Sequence, residues 1–349
     1  MSASEPCFRI APLSRELELA ARKKIDSRTK PLGALGRLEA MALHVCLIQG
    51  TLSPCLRKPE IVLFAGDHGA VAEGISAYPQ DVTWQMVQNF LQGGAAINVF
   101  GRQNGMAVRI VDAGVNHDFA PHPKLRNAKV AHGTANYVHE PAMTMVQCLS
   151  AIETGAEIAR ECAAGGGKVL GCGEMGIGNT GAASLLLHRI GKVPLEECVG
   201  RGAGLAAAGL ARKATVLAAA SRRCPGDLLA MEALMQYGGF EIAMMVGAFL
   251  AAAESRMVIL VDGFIASSAL LVAARLYPDV LDYCVFAHCS AEPGHRILLE
   301  VLWATPVLAL DMRLGEGTGA AVFYPLLQAA VNFVNEMASF AEAGVAAKA

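Results

Sequence analysis

Short, mostly apolar runs recur along the chain, and each gives way to glycines or polar residues. Ile61-Val62-Leu63-Phe64 leads into Gly66-Asp67-His68-Gly69, Val108-Arg109-Ile110-Val111 into Asp112-Ala113-Gly114, and Lys168-Val169-Leu170 into Gly171-Cys172-Gly173-Glu174. Further on, Val258-Ile259-Leu260-Val261 leads into Asp262-Gly263-Phe264, Cys284-Val285-Phe286-Ala287 into His288-Cys289-Ser290, and Val307-Leu308-Ala309-Leu310 into Asp311. Runs this short, several rich in β-branched residues and most separated by helical stretches, predict strands of a parallel sheet covered on both faces. The fold class expected is therefore α/β: a doubly wound, mostly parallel sheet with helices on both faces. Ligands of such open sheets bind beyond the carboxyl ends of the strands. Every polar cluster falls at such an end, so the pattern predicts an enzyme with one pocket.

The two ends of the chain do not alternate with strands. The N-terminal segment to about Leu47 is helix-like and charged, followed internally by the loop Ser27-Arg28-Thr29-Lys30-Pro31-Leu32-Gly33, and another apolar-periodic helix is expected from about Tyr324 to Phe340. Residues 1–49 with 324–349 are predicted to pair as a small helical subdomain beside a large α/β catalytic domain, 50–323, with Ala343 to Ala349 fraying. The uncharged stretch Ile242 to Ala253 is too short for a bilayer core of roughly 30 Å and reads as a buried helix, so no membrane partner is expected.

Composition sharpens this picture. Hydrophobic residues make up 54% of the 349 and charged residues 17%, an apolar surplus carried by alanine in segments such as Gly204-Leu205-Ala206-Ala207-Ala208-Gly209-Leu210, which suggests closely packed helices. A net charge of -2 leaves no electrostatic footprint for nucleic acid, so the expected partner is a small molecule. Met1-Ser2-Ala3-Ser4-Glu5-Pro6-Cys7 has neither a basic nor an apolar signal region, which points to the cytoplasm. Ten cysteines without a CxxC pair fit reduced, mostly buried thiols; Cys284 and Cys289 flank His288 at poor metal-ligand spacing. No metal or cofactor is expected.

Chemistry concentrates in a few motifs. Asp311-Met312-Arg313-Leu314-Gly315-Glu316-Gly317-Thr318-Gly319 sets one carboxylate between glycines, which are tolerated mainly where the chain turns sharply or a ligand approaches the backbone. Glu316 therefore reads as a presented base. Gly171-Cys172-Gly173-Glu174-Met175-Gly176 formally satisfies the dinucleotide fingerprint, but Glu196 and Glu197 do not close a second strand as it requires. A loop running on through Ile177-Gly178-Asn179-Thr180-Gly181-Ala182-Ala183-Ser184 into a helix from Ala182 to Ile190 better suits a phosphate, held by amides and the helix dipole. Gly200-Arg201-Gly202-Ala203-Gly204, followed by Arg212 and Lys213, could add amides and a cation, although an exposed face is the default for such a lysine. Asp67 and His68 read as hydrogen-bonded scaffolding. Gly74-Ile75-Ser76-Ala77-Tyr78-Pro79 and Val82-Thr83-Trp84-Gln85-Met86 offer the aromatic, sulfur and amide groups that suit a flat heteroaromatic ligand, while Met86 and Trp84 could equally be core. Asp262-Gly263-Phe264 lacks the partner motifs of a kinase.

Taken together, these segments resemble the nicotinate-nucleotide:dimethylbenzimidazole phosphoribosyltransferase family over nearly the whole chain. The resemblance runs from Ser27–Gly33 through Phe64-Ala65-Gly66-Asp67-His68-Gly69, Gly93-Gly94-Ala95-Ala96-Ile97-Asn98 and Gly173 to Thr180. It continues through Gly238-Gly239-Phe240-Glu241-Ile242, His288-Cys289-Ser290-Ala291-Glu292-Pro293-Gly294-His295 and the Glu316 motif. It implies transfer of phosphoribose from nicotinate mononucleotide to 5,6-dimethylbenzimidazole or a related azole, with Glu316 as general base and inversion at C1'. By similarity, Glu174, Gly176, Ile177, Gly178, Asn179 and Thr180, with Gly202, Ala203, Gly204 and Lys213, would hold the nucleotide. Ser76, Tyr78, Pro79, Gln85, Met86 and Leu314 would line the benzimidazole pocket. The family is dimeric, so a homodimer is implied. Two departures are visible: Gly181 where the family usually has a second threonine after Asn-Thr, and Ala203 where Gly-Arg-Gly-Thr-Gly is usual. Each removes a possible hydroxyl contact. Competing expectations are a non-catalytic nucleotide sensor built on the same loops and an NAD-linked dehydrogenase built on the fingerprint match.

Overall fold

In the computed structural model, which describes residues 7–346, the chain folds around a six-stranded parallel sheet. Its strands are β1 (Glu60–Gly66), β2 (Ala107–Gly114), β3 (Leu125–Asn127), β4 (Val169–Met175), β5 (Val258–Val261) and β6 (Cys284–Phe286), in the order β3-β2-β1-β4-β5-β6. The chain runs outward from β1 to β3, then crosses back to β4. The order thus reverses between β1 and β4, and a crevice opens at the carboxyl ends there. Every residue of β1 after Glu60 is buried, as is all of β5, because helices surround the sheet.

The Phe240–Glu254 helix lies against β1, β2, β4 and β5 and crosses the Met145–Ala164 helix. That crossing is backbone on backbone: a Cβ on Gly155 would sit 1.9 Å from the Met244 carbonyl oxygen, and one on Gly247 1.8 Å from that of Ile152. The stretch Ile242 to Ala253 is buried as expected. Among the described residues no helix is long and apolar enough to cross a membrane. The alanine-rich Gly204–Leu210 segment differs from expectation, because Ala206, Ala207 and Ala208 are exposed at the start of the Ala207–Arg223 helix. Glycine pairs, rather than that alanine run, let the helices approach closely.

Two strands depart from the hydrophobic pattern. β3 has no apolar run, being a short, mostly exposed edge strand whose Arg126 and Asn127 face solvent. The run Val307–Leu310 does not join the main sheet. There β7 (His288–Cys289) pairs in parallel with β8 (Leu308–Ala309), and the Val307 and Leu308 amides donate to the Phe286 and Ala287 carbonyls at 3.0 Å each. Asp311, in the left-handed region at φ 54°, turns the chain out of this short ladder.

At the ends, helices span Glu18–Asp26, Arg37–Gln49 and Thr318–Glu336, so the last long helix begins well before Tyr324 and stops before Phe340. The Arg28 guanidinium donates to the Val334 and Met337 carbonyls, and the Phe340 amide donates to the Ser27 carbonyl at 3.0 Å. Phe340–Ala343 forms a short helix capped by Ser339, so Ala343 is not frayed; residues 347–349, and residues 1–6 of the N-terminal segment read for a signal, lie outside the described residues. All ten cysteines are free and six are buried, including Cys284, whose thiol burial pushes well up.

Candidate active site

The polar clusters after β4, β5, β7 and β8 converge on one cavity of about 380 Å³; those after β1 and β2 do not. Asp67 accepts the Asn116 amide at 2.8 Å, His68 Nε2 and Glu241 Oε1 are 2.6 Å apart with both side chains fully buried, and Asp112 binds the Val115 amide. These groups brace the loops, the scaffolding role expected for Asp67 and His68.

Glu316 is held in an unusual backbone. Gly315, Glu316 and Gly317 are all left-handed, at φ 84°, 63° and 81°, before the Thr318–Glu336 helix begins. A non-glycine residue in this region is uncommon and persists only when its surroundings enforce it. One enforcing contact comes from β4: a Cβ on Gly173 would lie 2.3 Å from the Glu316 carbonyl oxygen, so glycine is required there. The first glycines of the apparent dinucleotide fingerprint are thus sheet-packing glycines, Gly171 against Ile61 and Gly173 beneath Glu316. The Glu316 side chain is 4% exposed and its Oε2 has no hydrogen-bond partner. Burial pushes its carboxyl up to about 7; the Ile97 amide opposes this and the nearby Asp262 charge adds to it.

Glu174 stands beside it, since a Cβ on Gly315 would touch Glu174 Oε1 at 2.2 Å. Its Oε2 accepts from the Asn179 amide group, and burial, with the Glu241 charge, pushes it up to about 8. Asp262, at the end of β5, accepts the Ala320 amide at 2.9 Å and lies 3.7 Å from His288 Nε2; burial raises its pKa while His288 opposes this. His295 accepts the Ser290 amide at Nδ1 (2.8 Å), which leaves Nε2 to donate to Ser267 Oγ (3.0 Å). Burial drives it down to about 3, so it stays neutral.

The nucleotide-type residues assemble in part. Glu174, Gly176, Ile177, Asn179, Thr180, Gly202 and Ala203 line the cavity, whereas Gly178 and Gly204 lie outside its lining. The helix starts at Asn179, three residues earlier than the pattern predicts, because Gly178 at φ 94° turns the chain directly into it. Some loop amides are already used: Ile177 donates to Thr83 Oγ1 at 3.1 Å, Asn179 to the Gly176 carbonyl and Gly181 to the Gly178 carbonyl. Lys213 is not on an exposed face. It is 1% exposed, and its ammonium reaches Thr180 Oγ1 at 2.8 Å and the Gly200 carbonyl at 3.1 Å from behind the lining; burial pulls it down to about 8. Gly181 faces away from the cavity, its missing side chain leaving room for the Tyr137 hydroxyl, so only the Ala203 departure touches the lining.

Of the benzimidazole set, Tyr78, Met86 and Leu314 line the cavity; Ser76, Pro79 and Gln85 do not. Gln85 points to solvent, Ser76 Oγ accepts the Tyr78 amide at 3.2 Å, and Trp84 stacks on His117 with centroids 4.7 Å apart. Sequence reasoning missed Asp262, Phe264, His288, Glu292 and Arg313 as lining residues. Their signal was the strand-end position itself, obscured for Asp262 and Phe264 by comparison with a kinase motif and for His288 by comparison with a metal site.

Against known proteins, a family model described as Phosphoribosyltransferase matches residues 10–345. A relative from Dechloromonas aromatica, called nicotinate-nucleotide-dimethylbenzimidazole phosphoribosyltransferase, is 59% identical over 344 residues, 98% of this chain and 99% of its own. One of the same description from Cupriavidus taiwanensis is 58% identical over 336 residues, 96% of this chain and 97% of its own. A crystal structure of CobT from Thermus thermophilus superposes with a TM-score of 0.92 at 43% identity, covering 95% of this chain and all of that one.

Proposed function

This chain belongs to the nicotinate-nucleotide-dimethylbenzimidazole phosphoribosyltransferase family and is a transferase that moves phosphoribose; from that premise we propose that it makes α-ribazole 5'-phosphate and nicotinate from nicotinate mononucleotide and 5,6-dimethylbenzimidazole, a step of cobalamin lower-ligand assembly. The observation that carries the reading is Glu316: one buried carboxyl with an unpartnered oxygen, lining the cavity and titrating near neutrality.

One base suffices for this chemistry. The ring nitrogen of the nucleotide is cationic, so when its bond to C1' breaks the electron pair returns to that nitrogen and nicotinate leaves without a general acid. The azole nitrogen forms the new bond to C1', and Glu316 takes the azole N–H proton, leaving the product ring neutral. Attack opposite the departing ring inverts C1', so a β-nucleotide gives an α-product. A base poised near working pH contributes about 10²- to 10⁴-fold. Glu174, protonated at neutral pH, donates to the sugar, while the amino end of the Asn179–Gly191 helix and Lys213 favour the phosphate. Tyr78, Met86 and Leu314 offer apolar walls to the azole.

The homodimer, the cytoplasmic setting and the division into a domain of residues 50–323 and a subdomain of 1–49 with 324–349 belong to the same proposal; the Arg28 and Phe340 contacts support that pairing of the ends. The test is incubation with nicotinate mononucleotide and dimethylbenzimidazole, followed by chromatography. Nicotinate should appear only with both substrates present, and its absence would count decisively against the reading.

A further inference from the structure

The cavity holds an acid where an anion is expected to bind. Glu292, just before the Pro293–Val301 helix, lines the cavity with Thr180, Gly202 and Ala203 yet is only 6% exposed. Its Oε2 is buried without a hydrogen-bond partner and lies so close to Gly200 that a Cβ there would come within 1.9 Å. The Gly202 backbone amide lies near the same carboxylate and favours its charged form. Two cations hold this loop by its carbonyls: Lys213 at Gly200 (3.1 Å) and Arg313 at Gly202 (3.2 Å). A carboxylate and two cations thus meet across three residues of backbone.

We propose that Glu292 is a specificity-determining residue of the phosphate end, ionised in the empty site and taking one proton from solvent when a phosphate dianion binds beside Lys213. The inference rests on the nucleotide reading above. Two anions cannot share a buried site without cost, since a like charge disfavours the ionised form. Burial already raises the Glu292 carboxyl, and only Lys213, the Gly202 amide and Arg313 oppose that rise. A bound phosphate would claim those same cations. Of the other acidic and imidazole groups lining the cavity, Glu174 lies in β4, Asp262 just after β5, His288 in β7 and Glu316 after β8. The consequence is selective: a ligand with a phosphate binds with proton uptake and binds more weakly as pH rises, whereas a phosphate-free nucleoside does neither.

The test is titration calorimetry at pH 7 with nicotinate mononucleotide and with ribose 5-phosphate, each in two buffers of different ionisation enthalpy. At that pH the Lys213 amine, near 8, is already mostly protonated and takes up little itself. Wild type should take up close to one proton per ligand, with affinity falling up to about tenfold from pH 7 to pH 8, while Glu292→Gln should take up almost none and vary less with pH. Equal uptake by both proteins overturns the proposal. Should Glu292→Gln not fold, wild type with nicotinate riboside serves instead, and uptake as large as with the nucleotide also overturns it. If ribose 5-phosphate binds with Glu292-dependent uptake but the nucleotide is not turned over, this inference stands and the substrate reading fails. Turnover without such uptake has the opposite meaning.

Discussion

Replacing Glu316 by Gln removes the proposed base while keeping the size of the side chain, and the structure sets two magnitudes. First, burial places the carboxyl near 7, so it is about half ionised at neutral pH and about one-tenth ionised at pH 6. Wild-type turnover should therefore climb about tenfold from pH 6 towards pH 8, and the Glu316→Gln enzyme should fall about 10²- to 10⁴-fold and lose that limb. This corresponds to roughly 3–5 kcal/mol of barrier, with nucleotide KM little changed. Second, a carboxyl raised from 4.5 to about 7 makes the folded protein hold a proton that the unfolded chain has released. Its contribution to stability is intact below pH 4.5 and is lost as pH rises through 7, by at most roughly 3 kcal/mol. Glu316→Gln should thus melt above wild type at pH 8 and close to it at pH 4.5. The assays are nicotinate release across pH 5.5 to 8.5 and thermal melts at pH 4.5 and pH 8. A variant with about wild-type turnover, or one that keeps the rising limb, refutes the role of Glu316 as the base.

Three further outcomes are expected. Gly173→Ala drives a methyl towards the Glu316 carbonyl oxygen, 2.3 Å away, and should lower kcat about 100-fold and stability by about 1–3 kcal/mol in urea titrations. Lys213→Met keeps the buried stem but removes the charged donor to Thr180 and Gly200, so steady-state kinetics should show nucleotide KM rising roughly 10- to 100-fold with a smaller change in kcat. His68→Ala strands Glu241 as a lone buried charge and should cost about 3–5 kcal/mol in chemical denaturation, an effect that unchanged stability would contradict.

The strands β1, β2, β4, β5 and β6 were legible because a parallel sheet buried on both faces demands continuous apolar runs, and five of them stand in this chain. The exposed edge β3 has no such demand and left no signal. Glu316 was legible for a local reason too: a carboxylate flanked by glycines advertises a backbone that only unusual φ values satisfy, and all three residues are left-handed. Glu174 and the loop to Thr180 were visible from their place at a strand end.

What tertiary structure decided is what each group touches. Lys213, for which an exposed helix face was the default, is buried against Thr180 and Gly200, because its helix packs behind the loop that ends at Thr180. Ser76, Pro79 and Gln85 share a segment with Tyr78 and Met86, yet only the latter two line the cavity. The same holds for protonation. Glu174 and Glu316 titrate near neutrality because residues distant in sequence exclude water from both. Periodicity and glycine chemistry are local properties and survive in a sequence read alone, whereas desolvation and the meeting of loops are set by segments far apart in the chain, so the sequence by itself marked the Glu316 carboxylate and only the fold set its acidity.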